Sequence, residues 1–189
     1  MNGIDKLQKD MAILAKFKEN LADYLASETL FYPTGPNYPE VTLGGWLMRQ
    51  HRLEALRDQL GQDERNQLEQ ILIEGNAILR NNIVRAEAKM HEELPARLRQ
   101  WKAYLQDVQE GESGAWYATA VEPRVMLTAL IDQLSQSPYQ MNSDVPERLD
   151  KVDTLAKFSW ISGDFVWSDG WDKAYPKADH WYLYGRFGR

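Results

Sequence analysis

The sequence predicts an all-α protein, a helical bundle of about five helices. Apolar residues recur at steps of three and four over most of positions 4–159, which places them on one face of each helix. No stretch alternates apolar and polar residues for long enough to predict a sheet. The last 30 residues instead hold nine of the 21 aromatic residues. We therefore expect one domain over residues 1–189, with a bundle at 1–159 and an irregular aromatic-rich C-terminal tail at 160–189 packed on it.

The first helix is expected at about residues 4–27, where the apolar residues are Ile4, Leu7, Met11, Leu14, Phe17, Leu21 and Leu25. A loop follows at 28–41, because its prolines exclude both a helix interior and a central strand. These prolines are Pro33, Pro36 and Pro39. We expect this loop to be extended and to pack against the aromatic tail. Thr42 is the expected N-cap of the second helix, since its hydroxyl can accept a first-turn amide.

The third helix is expected to be long and kinked, over about residues 63–109. Its apolar stripe keeps to one face through Leu72, Gly75, Leu79, Ile83, Ala86, Met90, Leu94, Leu98, Trp101 and Leu105. Such a helix would be about 70 Å long, whereas a compact domain of this size is roughly 40 Å across. A clean break at Pro95 would place Glu93 at a helix C-terminus and Arg97 at a helix N-terminus, against the macrodipole. We therefore expect a kink one turn before Pro95.

Two shorter helices complete the predicted bundle. One runs from about Glu122 to Gln136 with Pro123 in its first turn, where a missing N–H costs no hydrogen bond. The other begins after Ser143 or Asp144, again with a proline in its first turn. Neither segment shows an internal sequence repeat.

Composition limits the classes of function. The chain has 189 residues, a formal net charge of −6 and no cysteine. Thiol catalysis, cysteine-ligated zinc and iron–sulfur clusters are therefore excluded. The acidic balance disfavours nucleic acid as a partner, and no window has the roughly 18 apolar residues of a membrane span. The N-terminal residues lack the apolar stretch of a secretion signal, so we expect a cytoplasmic protein.

A metal site is not expected. The order of a helix, a proline-containing loop and the run Thr42–Leu47 resembles the DinB-type bundles over about a quarter of the chain. The metal histidine of that family would fall near Arg49, and its later His-x-x-x-His pair has no counterpart here. The three histidines His51, His91 and His180 include no pair at helical spacing, and His51 lies opposite the apolar stripe of its helix, facing solvent. We expect no metal and no cofactor.

The tail holds the candidate ligand-binding residues. Carboxylates alternate there with large rings, in the order Trp167, Asp169, Trp171, Asp172 and Trp181. This mixture suits a sugar, because rings cover apolar sugar faces while carboxylates accept hydroxyl protons, and a carboxylate pair also serves glycoside hydrolysis. The competing interpretation is that the tryptophans are buried and the aspartates are turn residues, as Asp169-Gly170 suggests.

Two classes of function follow. The first is a non-enzymatic interaction or structural protein that self-associates as a homodimer, because a helix longer than its domain needs cover along its apolar stripe. An unidentified protein partner is compatible with this class. The alternative is a protein that binds a small ligand, a sugar or an aromatic compound, or a hydrolase, using the aspartates and tryptophans of the tail.

Overall fold

The computed structural model describes residues 3–111 and 116–188. The helices are α1 (Gly3–Ala26), α2 (Leu43–Ala55), α3 (Gln62–Asn81), α4 (Ile83–Glu110), the single turn α5 (Tyr117–Ala120), α6 (Glu122–Leu134) and α7 (Val145–Ala156). Two short strands lie in the tail, β1 (Trp160–Phe165) and β2 (Tyr184–Phe187). The predicted all-α fold with an aromatic-rich C-terminal tail is therefore confirmed.

The predicted long helix is two helices, and the break lies at Asn82 instead of next to Pro95. Asn82 leaves helical geometry at φ −129° and ψ 35°. Its side-chain amide donates to the carbonyl oxygen of Ile78 at 2.9 Å, while its backbone N–H donates to Leu79 at 3.1 Å. The asparagine side chain thus takes the carbonyl that the backbone would use in a continuing helix, which explains why the helix ends there.

Pro95 lies inside the continuous helix α4, so the expected single helix over residues 63–109 is wrong, and the kink expected one turn before Pro95 stays a prediction. The two helices have 20 and 28 residues, about 30 and 42 Å at about 1.5 Å per residue. Neither is much longer than the roughly 40 Å expected for the domain. Most of the apolar stripe, from Leu79 through Leu98 to Leu105, is buried within this chain. The length that led us to expect a dimer through this helix is absent.

The bundle is organised around α2 and α4. Helix α1 packs on α2 and α3, and helix α4 packs on α6, α2 and α7. Thr42 is the N-cap of α2 as predicted, accepting from the Gly45 N–H at 3.0 Å. The largest side chains in the core, Trp46 and Trp101, are fully buried. They anchor the two helices that carry most of the contacts.

Gly75 of α3 lets the Trp46 indole lie against the helix backbone. A Cβ at position 75 would overlap the Trp46 ring, which is fully buried. Helix propensity alone would favour alanine over glycine by about 1 kcal/mol. We nevertheless expect Gly75→Ala to lower the free energy of unfolding by about 1–3 kcal/mol, because the rigid Trp46 ring cannot move away from the added methyl group. Urea denaturation measures this. Gly61→Ala, whose Cβ would meet only Glu64 at 3.5 Å, is the control, expected to change less than about 1 kcal/mol. Equal effects would contradict the packing explanation.

The tail is more regular than predicted. Strands β1 and β2 pair antiparallel, with Trp160 opposite Phe187 and Phe165 opposite Tyr184, and a bulge follows Ser162. The sequence did not reveal these strands because most of β1 is exposed on both faces, so no apolar alternation arises. Between the strands the chain turns inward and buries Trp171, Tyr175, Tyr182 and Leu183 in the main core.

The proline loop packs mainly on α1 and α4. Tyr32 and Val41 form an isolated bridge across its base, and the Tyr32 ring lies 6.4 Å from Tyr24. Lys89 donates to the Thr29 carbonyl at 3.0 Å. These contacts hold the loop to the first and fourth helices. Its expected packing on the tail, within one chain or across a dimer, stays a prediction.

Candidate functional site

A cavity of about 260 Å³ lies between α2, α6 and the inward turn of the tail. Its lining from α2 includes Leu47, Met48, Gln50, His51 and Glu54; from α6, Val125, Thr128, Ala129, Asp132, Gln133 and, just past its end, Gln136; and from the tail, Tyr175 and His180. The spacing on both helices is helical, because residues three, four and seven apart share one face. The cavity is thus a groove between two packed helices that the tail closes on one side.

Tyr175 packs beside the two histidines of the cavity. Its ring centroid lies 5.3 Å from that of His51 and 5.1 Å from that of His180. The two imidazoles stack with centroids 6.5 Å apart. The sequence separates these three residues by up to 129 positions, and only the return of the tail over α2 brings them together.

Backbone carbonyls orient both imidazoles. The His51 Nε2 lies 2.7 Å from the carbonyl oxygen of Ala174, and the His180 Nδ1 lies 3.3 Å from that of Pro176. A carbonyl oxygen only accepts hydrogen bonds, so each of these nitrogens carries the proton in the neutral ring. Burial lowers the pKa of His180, and the neighbouring His51 acts in the same direction. His180 is therefore neutral at physiological pH.

Two carboxylates complete the charged groups of the lining. Glu54 and Asp132 both reach solvent at the mouth of the cavity. The protein atoms around Asp132 remove part of its hydration, which raises the pKa of its carboxyl group. No lysine or arginine lines the cavity. The mouth therefore carries negative charge at neutral pH.

The hydroxyl groups of the lining are already engaged. The Thr128 oxygen accepts from Arg124 at 2.6 Å and lies 3.0 Å from the Tyr182 hydroxyl. The Tyr175 hydroxyl accepts from Arg52 at 3.1 Å, and burial raises the pKa of its phenol. Neither oxygen is paired with an imidazole as an activated nucleophile would be. The arrangement is suited to holding a ligand.

A buried charge cluster supports the cavity wall from behind. Arg52 donates to Asp10 at 2.6 Å, and its guanidinium carbon lies 4.2 Å from the Trp171 ring centroid and 4.6 Å from that of Trp167. Arg49 also pairs with Asp10, at 3.4 Å. The guanidinium of Arg52 thus fixes the Tyr175 hydroxyl on one side and two tryptophans on the other.

The five residues that the sequence nominated lie outside this cavity. Trp167 and Trp171 come together, with ring centroids 6.2 Å apart, but they pack on Arg52. Trp181 lies elsewhere, 5.2 Å from the Trp160 ring. Asp169 and Asp172 are exposed. Their role as a ligand site stays a prediction.

Sequence reasoning did not find His51, Asp132 and His180 as a group. His51 is exposed, as its place opposite the apolar stripe predicted. The spacing of apolar residues along α2, however, does not indicate which irregular segment of the chain packs over this exposed face. The buried cluster had a visible signal. Arg49 and Arg52 stand among the apolar positions Trp46 and Leu53 of α2, and a charge on a buried stripe indicates a buried partner.

Within residues 3–111 and 116–188, no three His, Asp or Glu side chains are grouped closely enough to hold a metal ion. Arg49, where the resemblance to DinB-type bundles would place a metal histidine, is instead paired with Asp10.

No helix within residues 3–111 and 116–188 is long and apolar enough to cross a membrane.

Fold and cavity together define an α-helical bundle with a small polar cleft closed by its own C-terminal segment. Comparison of the chain with protein-family models, curated proteins and solved structures gave no match.

The free energy of unfolding is expected to rise with pH just below the ordinary histidine pKa of 6.5. Burial lowers the pKa of folded His180, so the unfolded chain binds more protons in this window and acid favours unfolding. Urea midpoints at about pH 5.5 and about pH 7.5 measure the difference, and His180→Gln is expected to reduce it. His91→Gln, outside the cavity, should keep the wild-type difference. An unchanged pH dependence in His180→Gln would contradict the assignment.

Proposed function

We propose that the protein binds a small polar molecule in the cavity between α2, α6 and the tail. The observation that carries the proposal is the convergence of His51, Asp132 and His180 on one cleft, from three segments far apart in sequence. Clefts with a few convergent polar groups and shifted pKa values are where ligands are commonly bound. The ligand site thus moves from the face of the tail predicted from sequence to the junction of tail and bundle.

The size of the cavity supports a small occupant. Its 260 Å³ is below the roughly 300–1000 Å³ of pockets that take drug-sized ligands. Apolar walls from Leu47, Val125 and Ala129 leave space for a short carbon chain, while the polar groups stand at the mouth and beside the tail. Binding without covalent chemistry is favoured, because the hydroxyls of Thr128 and Tyr175 are engaged elsewhere.

Ala129 provides the test, because it lines the cavity with a small side chain. Amines, carboxylic acids, sugars and aromatic fragments are titrated into labelled protein, and amide shifts are followed by NMR. We expect at least one class to shift residues 47–54, 128–136 and 175–180 together. Ala129→Phe should fill the cleft and abolish these shifts, whereas Ala129→Ser should keep them. Shifts that survive in folded Ala129→Phe, or the absence of any cluster of shifts at the cavity, would refute the proposal.

Self-association is the second candidate function, now through a different surface. Leu155, Phe158 and Ile161 are exposed by 65%, 86% and 49% at the junction of α7 and β1. In the part of the chain that the structure describes, β1 pairs only with β2, so its other edge is available to a strand. A second copy could pair its own β1 there in antiparallel fashion, because a twofold contact uses the same surface on both subunits.

The mass in solution tests this candidate. Sedimentation velocity over micromolar concentrations should show a dimer for the wild type and a monomer for Phe158→Lys. Val84→Lys is the control, since Val84 is 82% exposed on α4 and should leave the dimer intact. A wild-type monomer at all concentrations would remove the candidate.

A cytoplasmic location remains the expectation from sequence, and cell fractionation tests it.

A further inference from the structure

Four acceptor groups line the cavity, beside the amides of Gln50, Gln133 and Gln136. The tautomer that the Ala174 carbonyl imposes on His51 leaves a lone pair on Nδ1, and the contact of His180 with Pro176 leaves one on Nε2. Both rings line the cavity, as do the carboxylates of Glu54 and Asp132. A ligand that matches these four groups must bring donors.

The charges around the cavity favour the same class of ligand. Arg124, which contacts the lining residue Thr128, is held by Asp153 at 2.8 Å and by the Thr128 hydroxyl, so it is not free to bind a ligand, although its charge favours the ionised form of Asp132. Asp179 lies close enough to act on both Asp132 and His180 and adds further negative charge. An anionic ligand would meet carboxylates without a free cation to bind, which costs free energy in a partly desolvated site.

The acceptors of the cavity suit a protonated amine better than a metal ion. The ring of Tyr175 is 1% exposed and packs against both imidazoles, so it holds the two rings in place while the ligand meets the acceptors and carboxylates. A bare metal ion is disfavoured, because no three ligating side chains of the described residues are grouped closely enough to hold one. A protonated amine reaches separate acceptors through its three N–H bonds.

Resting on the proposed function of this cavity, we propose that its ligand is a small organic cation, a compound with a protonated amino group on a short carbon chain. The ammonium group lies at the Asp132 carboxylate and the lone pairs of His51 and His180, and the chain lies along Leu47 and Val125. Glu54 attracts the cation to the mouth.

Four probes of equal chain length test whether the ligand of the cavity is a cation. Butane-1,4-diamine and n-butylamine as hydrochlorides, n-butanol and sodium butyrate are titrated at about pH 7.5, and amide shifts are followed by NMR. The two amines should shift residues of the cavity, and butanol and butyrate should not at the same concentration. Asp132→Asn should weaken amine binding by roughly tenfold or more, whereas Asp150→Asn on the exposed face of α7 should not.

The outcomes separate the ligand class from the proposed function. Butyrate or butanol shifting the cavity residues while the amines do not would overturn the organic cation and leave ligand binding intact. Amine binding of unchanged strength in Asp132→Asn would also overturn the proposal. If neither these probes nor the wider fragment set perturbs the cavity, the cation and the proposed function fail together.

Discussion

Replacing Arg52 by alanine is expected to lower the free energy of unfolding by about 3–5 kcal/mol, because it removes the shorter of the two ion pairs of a buried carboxylate. Arg52 is 3% exposed. Its removal leaves Asp10 with the longer 3.4 Å contact to Arg49 and leaves Tyr175 without its donor. The space between Trp167 and Trp171 becomes a void. Urea denaturation followed by tryptophan fluorescence measures the loss.

Two controls separate burial from charge. Arg57→Ala removes a surface ion pair to Glu69 whose side chains are 48% and 55% exposed, and should cost less than about 1 kcal/mol. The triple variant Asp10→Asn with Arg49→Met and Arg52→Met removes all three charges of the cluster and should recover much of the loss. A midpoint for Arg52→Ala equal to that of Arg57→Ala would show that the cluster does not stabilise the fold.

A loss of similar size, about 3–5 kcal/mol, is expected for Glu93→Ala. Glu93 is fully buried in α4. Its carboxylate accepts from the Gly44 backbone N–H and from Arg97, each at 2.8 Å, and Arg97 also donates to Thr42. The carboxylate therefore binds the positive end of α2 while neutralising a buried arginine. Without it, an amide and a guanidinium lose their acceptors.

The neighbouring Glu92 provides a matched control. It lies one residue away in the same helix, its side chain is 58% exposed, and its ion pair with Lys89 spans 4.0 Å. Glu92→Ala should cost less than about 1 kcal/mol. Glu93→Gln keeps an acceptor oxygen and should fall between the two. Thermal unfolding by circular dichroism gives the order, and equal losses for Glu92→Ala and Glu93→Ala would contradict the capping role.

The helices could be predicted because their apolar residues repeat. The spacing from Leu7 to Leu25 and the cap at Thr42 placed α1 and the start of α2 within one residue of their positions. The break at Asn82 was missed because the apolar stripe runs through it, and an asparagine interrupts a helix through a local hydrogen bond that hydrophobic periodicity does not contain. Glu93 and Arg97 were judged by the macrodipole, yet they bind each other across one turn.

The site could not be predicted because its parts meet only through the tail. Nothing in the spacing of His51 or Asp132 indicates that His180 returns between them. The tail has no period, and its course depends on which ring fills which space, with Trp171 on Arg52 and Tyr175 beside His51. Tertiary packing of this kind is set by shape and not by pattern.

The packing of the tail on Arg52 affects how the protein folds during its synthesis. Synthesis proceeds from the N-terminal side. Here Arg52, which pairs with Asp10 of the first helix, is buried beneath the rings of Trp167 and Trp171, which are made more than 100 residues later. A nascent chain in which α1–α7 have left the ribosome keeps this charged pair hydrated until Trp167 and Trp171 have also emerged. A message cut short within the tail therefore yields a chain with an unfinished interior, which cellular proteases can recognise and remove.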